Sequence, residues 1–587
     1  MTFQRTSDRQ RCAVRTSMQA LINGYLREID PAQFCQDQGR ERLAIDLTHC
    51  GACLFLDVQY RSQTGPHTFG SADLVYHPLN QRHPAAPVQI ICLIAQECAA
   101  RIDASAEDKL PEFLRCIFNS NAEIETLLAY RSSNQPMETF LQVEQGLTFG
   151  HWLHPTPKSR DGMTFLHKQL YAPEQKGAFR LSYFAVSDDL VISDSAEVPP
   201  HHIVTSLLGH TDMPALLPNE RLIPVHPLQA DVLRKDPKIQ DLLNSGNLRD
   251  LGLLGRSFYA TSSVRTLYAP DCPWMVKFSI PVRLTNSLRV TLRNELQVGV
   301  LMARLLRKLD FATQQPRFHI IDDPAYATVA IPGQTESGFE TIFRKNPFTQ
   351  GQDIGIFNLA TLTADPPPRA PSLLSAELHR LSHTLGTDLH DAAKRWFKTY
   401  LQCMLDPLLV LYDQHGIALE AHQQNALLDL SSGLPKKAYF RDNQGYFITR
   451  NALPRLQGLE PGLAQQPALV FDEEHIHKRF AYYLFVNQIF AVVRRMGQDG
   501  ILTEDHALTL LRAHLTNLSP QFTKAAKGFI IYLLFSPYLA TKANLLTRLH
   551  DMDELKTDAQ EGLFLDIPNP LFVPAATPTQ EVADVFA

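Results

Sequence analysis

The sequence predicts an α+β chain of several lobes that ends in a mainly helical region. Three observations lead there. At 587 residues the chain exceeds what one hydrophobic core accommodates, so roughly three or four lobes are expected. Its central part, about residues 140 to 345, carries strand signals punctuated by many Pro and Gly residues. Beyond the Pro-rich segment Ala364–Ser372, which suits neither a helix nor a central strand, apolar residues recur at helical spacing.

Taken in order, residues from Ala13 to about Ile29 and from Leu110 to Ser132 show helical periodicity. Between them, AIDLTHCGACLFLDVQY reads as a strand and PVQIICLIAQECAA as strand or helix. Asn134, Gln135 and Pro136 are a natural break after this first lobe. FRLSYFAVS, RLIPVHPLQ and MVKFSIPVRL are the strand-like runs of the middle. The late helices are LLSAELHRLSHTLG, AAKRWFKTYLQCMLDPLLVLY, RFAYYLFVNQIFAVVRRMG and LTLLRAHLTNL, with a strand insert at roughly 417 to 450.

Composition narrows the class. With 44% hydrophobic and 20% charged residues and a formal net charge of −6, the chain is globular, and nothing favours a nucleic-acid partner. The longest late apolar run, Phe529 to Phe535, is far short of the ~20 residues that span a bilayer. The Arg-rich start lacks an apolar signal region. Nine cysteines without a disulfide rhythm suit a reducing compartment, so a cytoplasmic protein is expected. Cys50 and Cys53 form a single CxxC with no second pair, which is weak ground for zinc.

Neither GxxxxGK[ST] nor GxGxxG occurs. Four other segments are unusually polar. GHWLHPTPKSRDG, Gly150 to Gly162, gathers His151, His154, Lys158 and Arg160 between turn residues. ATSSVRTLY places Ser263, Arg265 and Thr266 within four residues, and hydroxyls beside a guanidinium suit phosphate oxygens. In VKFSIPVRLTNSLRVTLRNE, Lys277 sits between apolar neighbours, where an ammonium is costly without an anion. Arg289 lies one strand and one turn further on. In HGIALEAHQQNALLD, an extended backbone would put Glu420, His422 and Gln424 on one face, with Asn425 adjacent. Asp442, in AYFRDNQGYF, would sit on the neighbouring strand of a hairpin with Glu420, and such an oxygen-only pair suits Mg²⁺ over zinc.

These motifs, GHxxHPxxKxR, SxRT, KFSIPVRLTNSLR, ExHxQN and FRD, occur in an order that resembles the aerobactin-synthetase-like IucA/IucC family, the NRPS-independent siderophore synthetases. Trp152 departs from the pattern, since the family usually has Pro after the first His. The resemblance implies a cupped hand: a thumb lobe over 1–139, a fingers lobe with the ATP-phosphate motifs over 140–364, and a mostly helical palm over 365–587. It implies ATP and Mg²⁺, adenylation of a polycarboxylate such as citrate, and attack by an amine or hydroxyl to give an amide or ester. By the same resemblance His154, Lys158, Ser263, Arg265, Thr266, Lys277, Gln424 and Asn425 would bind ATP and Glu420 with Asp442 the metal. Arg289 and His422 would meet the substrate carboxylate, with His154 completing the catalytic set. Family members are often homodimers.

Two rival classes remain at this level. A zinc metallohydrolase would use His379 and His383, four apart on a helix, although the HExxH glutamate is absent. A non-catalytic siderophore-binding protein would keep the fold without turnover.

Overall fold

The computed structural model describes residues 7–37, 39–78, 81–102, 104–130, 137–209, 213–442, 444–552 and 564–573. The first helix, Asp8–Glu28, starts at a capping box in which Ser7 and Gln10 satisfy each other's backbone N–H groups. It packs with the helices Pro87–Ile102 and Ala104–Tyr130. These helices and a five-stranded antiparallel meander, Gln33–Asp37 to Gln81–Pro84, share one apolar core. The run read as a single strand is two, Arg40–Leu47 and Ala52–Tyr60, because Thr48–Cys50 makes a tight turn ended by Gly51 in the left-handed region. PVQIICLIAQECAA is helical. Leu545 and Leu549, from the helix Asn544–Leu549, complete this core from the far end of the chain. The break expected at 134–136 lies outside the described residues.

The middle of the chain forms an eight-stranded antiparallel sheet. Its inner strands Trp274–Phe278 and Thr266–Tyr268 are buried throughout, Lys277 included. Thr266 pairs directly with Lys277, so the SxRT loop and the buried lysine are fixed to each other by sheet register.

The largest core belongs to the C-terminal region, and residues of the helix Arg293–Lys308 join it. Its centre is the helix Leu389–His415, with Trp396 and Tyr400 fully buried. The strand insert divides between two small sheets. Ala426–Asp429 and Lys437–Arg441 pair in one, whereas Ile417–Leu419 pairs with Tyr446–Thr449 in the other. RFAYYLFVNQIFAVVRRMG is not one regular helix. The α-helix Glu473–Phe480 widens into a π-helical segment, Ala481–Ile489, and resumes as α-helix over Phe490–Gln498. Such widened turns are often found at functional sites. Among the described residues, no helix is long and apolar enough to cross a membrane.

Candidate active site

One cleft of about 530 Å³ collects all twelve residues singled out above, from His154 to Asp442. Its walls carry nine Lys and Arg side chains against four Asp and Glu. That excess of cations is what a polyanion needs, since like charges repel without compensation.

The first motif loop crosses one wall. Its His154 Nδ1 accepts the backbone N–H of Thr156 at 3.1 Å, so the neutral ring carries its proton on Nε2, which faces Asn286 Oδ1 at 2.9 Å. His422 is held in the same way: its Nδ1 accepts the N–H of Gln424 at 3.2 Å, leaving Nε2 as the donor, 3.7 Å from Glu420 Oε1. Burial lowers the His422 pKa to about 4, so the ring is neutral at physiological pH. Two imidazole N–H donors are thereby aimed by local backbone geometry alone.

Lys158 and Arg160 line the cleft, but both are bound to Glu174. Lys158 donates to the Glu174 carboxylate and to the Leu147 carbonyl, and Arg160 donates to Glu174 at 2.6 Å. Burial alone would raise the pKa of Glu174. The charges of Arg160 and Lys158 outweigh it and hold the group at about 2. Lys158 therefore contributes to the cleft as half of an ion pair.

On the opposite wall, Ser263 Oγ accepts the Thr266 N–H at 3.1 Å and Arg265 donates to the Thr291 hydroxyl at 3.1 Å. Val264 between them has φ of 68°, a strained value for a β-branched residue, and such strain tends to cluster at functional loops. Arg265 and Lys277 are both buried, and burial pushes both pKa values down. Glu295, close to both cations, is pushed up by its own burial. Arg289 donates to the Leu284 carbonyl at 3.3 Å and to Thr285 Oγ1 at 3.1 Å, so its guanidinium folds over the tip of the Arg283–Leu288 hairpin.

The expected hairpin between Glu420 and Asp442 is not what joins them. Each lies just past the end of its own strand, in different sheets, and the two meet at Gly445. A Cβ on Gly445 would fall 2.6 Å from Glu420 Cβ and 3.3 Å from Asp442 Oδ2. The segment 420–425 is also not extended: the Asn425 N–H returns to the His422 carbonyl at 2.9 Å in a turn. That turn, rather than strand alternation, brings Glu420, His422, Gln424 and Asn425 to one cleft. Two carboxylates with no sulfur beside a phosphate-sized cationic surface suit Mg²⁺.

Several site residues carry no sequence signal. Glu144 is fully buried, accepts from Ser262 N and Oγ at 2.9 Å and from Asn358 at 2.8 Å, and is paired with Arg441 at 2.9 Å. Arg441 in turn donates to the Gln424 carbonyl at 2.9 Å, which ties the SxRT loop to the ExHxQN turn. Tyr482, Tyr483 and Asn487 reach the cleft from the π-helical segment, and Lys542 from the strand Tyr538–Lys542.

Comparison with known proteins places this geometry. Residues 139–364 match the model of the IucA / IucC family, and residues 394–557 match that of the ferric iron reductase FhuF-like transporter family. The rhizobactin siderophore biosynthesis protein RhbC of Rhizobium meliloti is 35% identical over 95% of this chain and 98% of its own length. The chain belongs to the IucA/IucC family. Spermidine-citrate ligase of Bacillus anthracis is 32% identical, with 95% of this chain and 98% of that protein covered. The ATP-bound aerobactin synthetase IucA of Klebsiella pneumoniae superposes with a TM-score of 0.87 at 28% identity, covering 95% of this chain and all of that one. As an IucA/IucC protein the chain is an ATP-dependent ligase of siderophore biosynthesis. The metallohydrolase alternative falls with this. His379 and His383 lie exposed on the helix Leu373–Leu385, and His379 Nδ1 is spent on the Ser375 carbonyl at 2.8 Å.

Proposed function

We propose that this cleft activates a carboxyl group of citrate with ATP and passes it to an amine. The observation that carries the proposal is the convergence of buried Arg265 and Lys277 from the large sheet with Glu420, His422 and Asp442 from the palm strands. Ser263, Arg265, Thr266, Lys277 and His154 would hold the phosphates, with Gln424 and Asn425 fixing the nucleotide from the facing wall. The Lys158–Glu174 pair lies behind this row. Glu420 and Asp442 would hold Mg²⁺, which screens phosphate charge when bound. Arg289 and the Nε2–H of His422 would orient the carboxylate.

In this scheme a citrate carboxylate oxygen attacks the α-phosphorus, and pyrophosphate leaves. The amine nitrogen then attacks the acyl carbon, AMP departs with the bonding pair, and the nitrogen loses a proton. The N–H donor of His422, aimed by its own turn, needs little reorganisation to stabilise developing negative charge, whereas that of His154 would exchange Asn286 for the ligand. Two relatives carry names that join citrate to an amine, the Bacillus anthracis spermidine-citrate ligase and the Staphylococcus aureus L-2,3-diaminopropanoate–citrate ligase. We place the enzyme in the cytoplasm, in keeping with its nine unpaired cysteines, and as a homodimer, with exposed Ile531, Phe535 and Tyr538 as the apolar surface in support.

Incubation with ATP, Mg²⁺ and citrate, with hydroxylamine as a general acceptor, tests the proposal. AMP, pyrophosphate and a citryl hydroxamate are expected. ADP and phosphate would point to an acyl phosphate instead, and no nucleotide consumption across a panel of polycarboxylates and amines would leave a binding protein.

A further inference from the structure

No residue before Leu147 lines the cleft among the described residues, yet the N-terminal lobe grips the first motif loop along its length. Arg27 donates to the Leu153 carbonyl at 2.9 Å, and Ser120 Oγ accepts the Lys158 N–H at 3.0 Å. Arg115 binds Asp161 at 2.9 Å, directly after Arg160. Directly before Leu153 stands the residue that breaks the family pattern, Trp152. Its ring packs against Gly65 in the turn between the strands Ala52–Tyr60 and Thr68–Tyr76. A Cβ on Gly65 would fall 2.4 Å from Trp152 Cζ3 and 2.7 Å from Cη2.

That turn is itself rigidly placed. Glu504 accepts the N–H groups of Gln63 and Thr64 at 2.9 and 3.0 Å and the Thr64 hydroxyl at 2.8 Å. Arg494 donates to the Pro66 carbonyl at 2.8 Å and packs its side chain against the same glycine. Trp152 thus has a fixed seat on one side and, on the other, His151 and His154 facing the cleft.

We infer that Trp152 is a positioning residue that sets the height of the His151–His154 loop over the cleft, with Gly65 as its obligatory seat. The inference rests on the reading of His154 as a nucleotide contact. It explains why a bulky ring is tolerated next to His151: the N-terminal lobe supplies a position without a side chain to receive it. Among the described residues Trp152 Nε1 has no hydrogen-bond partner, so the ring acts by shape.

The test compares Trp152→Ala, Trp152→Phe, Gly65→Ala and the double variant Gly65→Ala/Trp152→Phe in the full chain, with His154→Ala as reference. A displaced loop raises the KM for ATP, whereas loss of folded protein lowers kcat at constant KM. Gly65→Ala and Trp152→Ala are expected to lower kcat/KM for ATP by about tenfold to 10²-fold through KM, the scale of a misplacement of about 1 Å. Phe is shorter than Trp and sacrifices no hydrogen bond, so the double variant should recover most of what Gly65→Ala loses. If Trp152→Ala does not fold, the two Gly65 variants decide. Wild-type KM in Gly65→Ala, or no recovery in the double variant, overturns the inference while an impaired His154→Ala leaves the site reading standing. Wild-type turnover in His154→Ala removes the loop from the nucleotide and takes the inference with it.

Discussion

Lys277 Nζ stands 3.2 Å from Asp442 Oδ1, and this contact joins the centre of the eight-stranded sheet to the end of the strand Lys437–Arg441. Burial pushes the lysine pKa down and Asp442 pulls it partly back. A lowered folded-state pKa means that the unfolded chain binds the proton more tightly, so the charged lysine weakens the fold below its folded pKa. The paired replacement Lys277→Met/Asp442→Asn removes both charges at similar volume. It should be at least as stable as the wild type in urea unfolding at pH 7 and devoid of activity, because buried ion pairs contribute little net stability. Asp442→Asn alone should cost about 1–3 kcal/mol. A double variant less stable than that single one would show that the pair holds the lobes together.

Arg265 is buried and, among the described residues, its one side-chain hydrogen bond goes to a hydroxyl and not to a carboxylate. Glu295 and Asp442 lie near enough to favour its charge without a carboxylate hydrogen bond, which leaves the guanidinium able to take a ligand anion. Arg265→Ala should lower kcat/KM by about 2–4 kcal/mol of transition-state stabilisation, the scale of a charge-assisted contact to phosphate. Steady-state kinetics with ATP varied will show this, and near-normal turnover would remove the SxRT loop from the site.

Arg289→Lys separates the two ligands. A planar guanidinium holds a carboxylate bidentately, and an ammonium does not. The KM for citrate should rise about tenfold to a hundredfold, the equivalent of roughly 1.5–3 kcal/mol, with the KM for ATP little changed. A shift in the ATP constant alone would assign Arg289 to the nucleotide.

His422 makes acid sensitivity testable. Its folded pKa of about 4 lies below the unfolded value near 6.5, so the unfolded state takes up a proton first as pH falls. The stability linked to a neutral His422 is complete above about pH 6.5 and is lost progressively toward pH 4. His422→Gln should flatten the fall in thermal midpoint across that window relative to wild type. Parallel curves for the two proteins would show that the ring is already protonated in the fold. Glu420→Gln, measured alongside at pH 7, should stay folded and require more Mg²⁺ for activity.

Much of this was legible before the fold was known, because the site is built from short segments. SxRT, the Lys277 strand and ExHxQN each carry their polar groups within a few residues of one another, against apolar neighbours that make the polarity visible. The geometry was legible only in part. Glu420 and Asp442 converge through a glycine that allows close approach, not through strand pairing, and that depends on which sheet each strand joins. Glu144 belongs to no motif, and its role as the buried partner of Arg441 follows from a contact 297 residues away in sequence. Tyr482, Tyr483 and Asn487 lie in an apolar run that periodicity assigns to a core helix. Only the widened π-helical turn brings them to the cleft. Lys158 read as a cation for phosphate, and its pairing with Glu174, which Arg160 shares, could not be read from spacing.

The helix Asn544–Leu549 has its first N–H groups, those of Leu545 and Leu546, capped by Glu28 at 2.8 and 3.0 Å, and Asn544 reaches the Leu153 carbonyl that Arg27 also holds. During synthesis, then, the nascent chain carries every cleft motif through Asp442, together with the N-terminal contacts of the first loop, before the last of that loop's supports exists. Some hundred further residues must leave the ribosome before Asn544 can travel back to the Leu153 carbonyl and the earliest helix. Contacts of such sequence separation form late, since the loop they close is long. The earliest-made lobe is thus among the last to be closed, because Leu545 and Leu549 seal its core only once the far end of the chain has arrived.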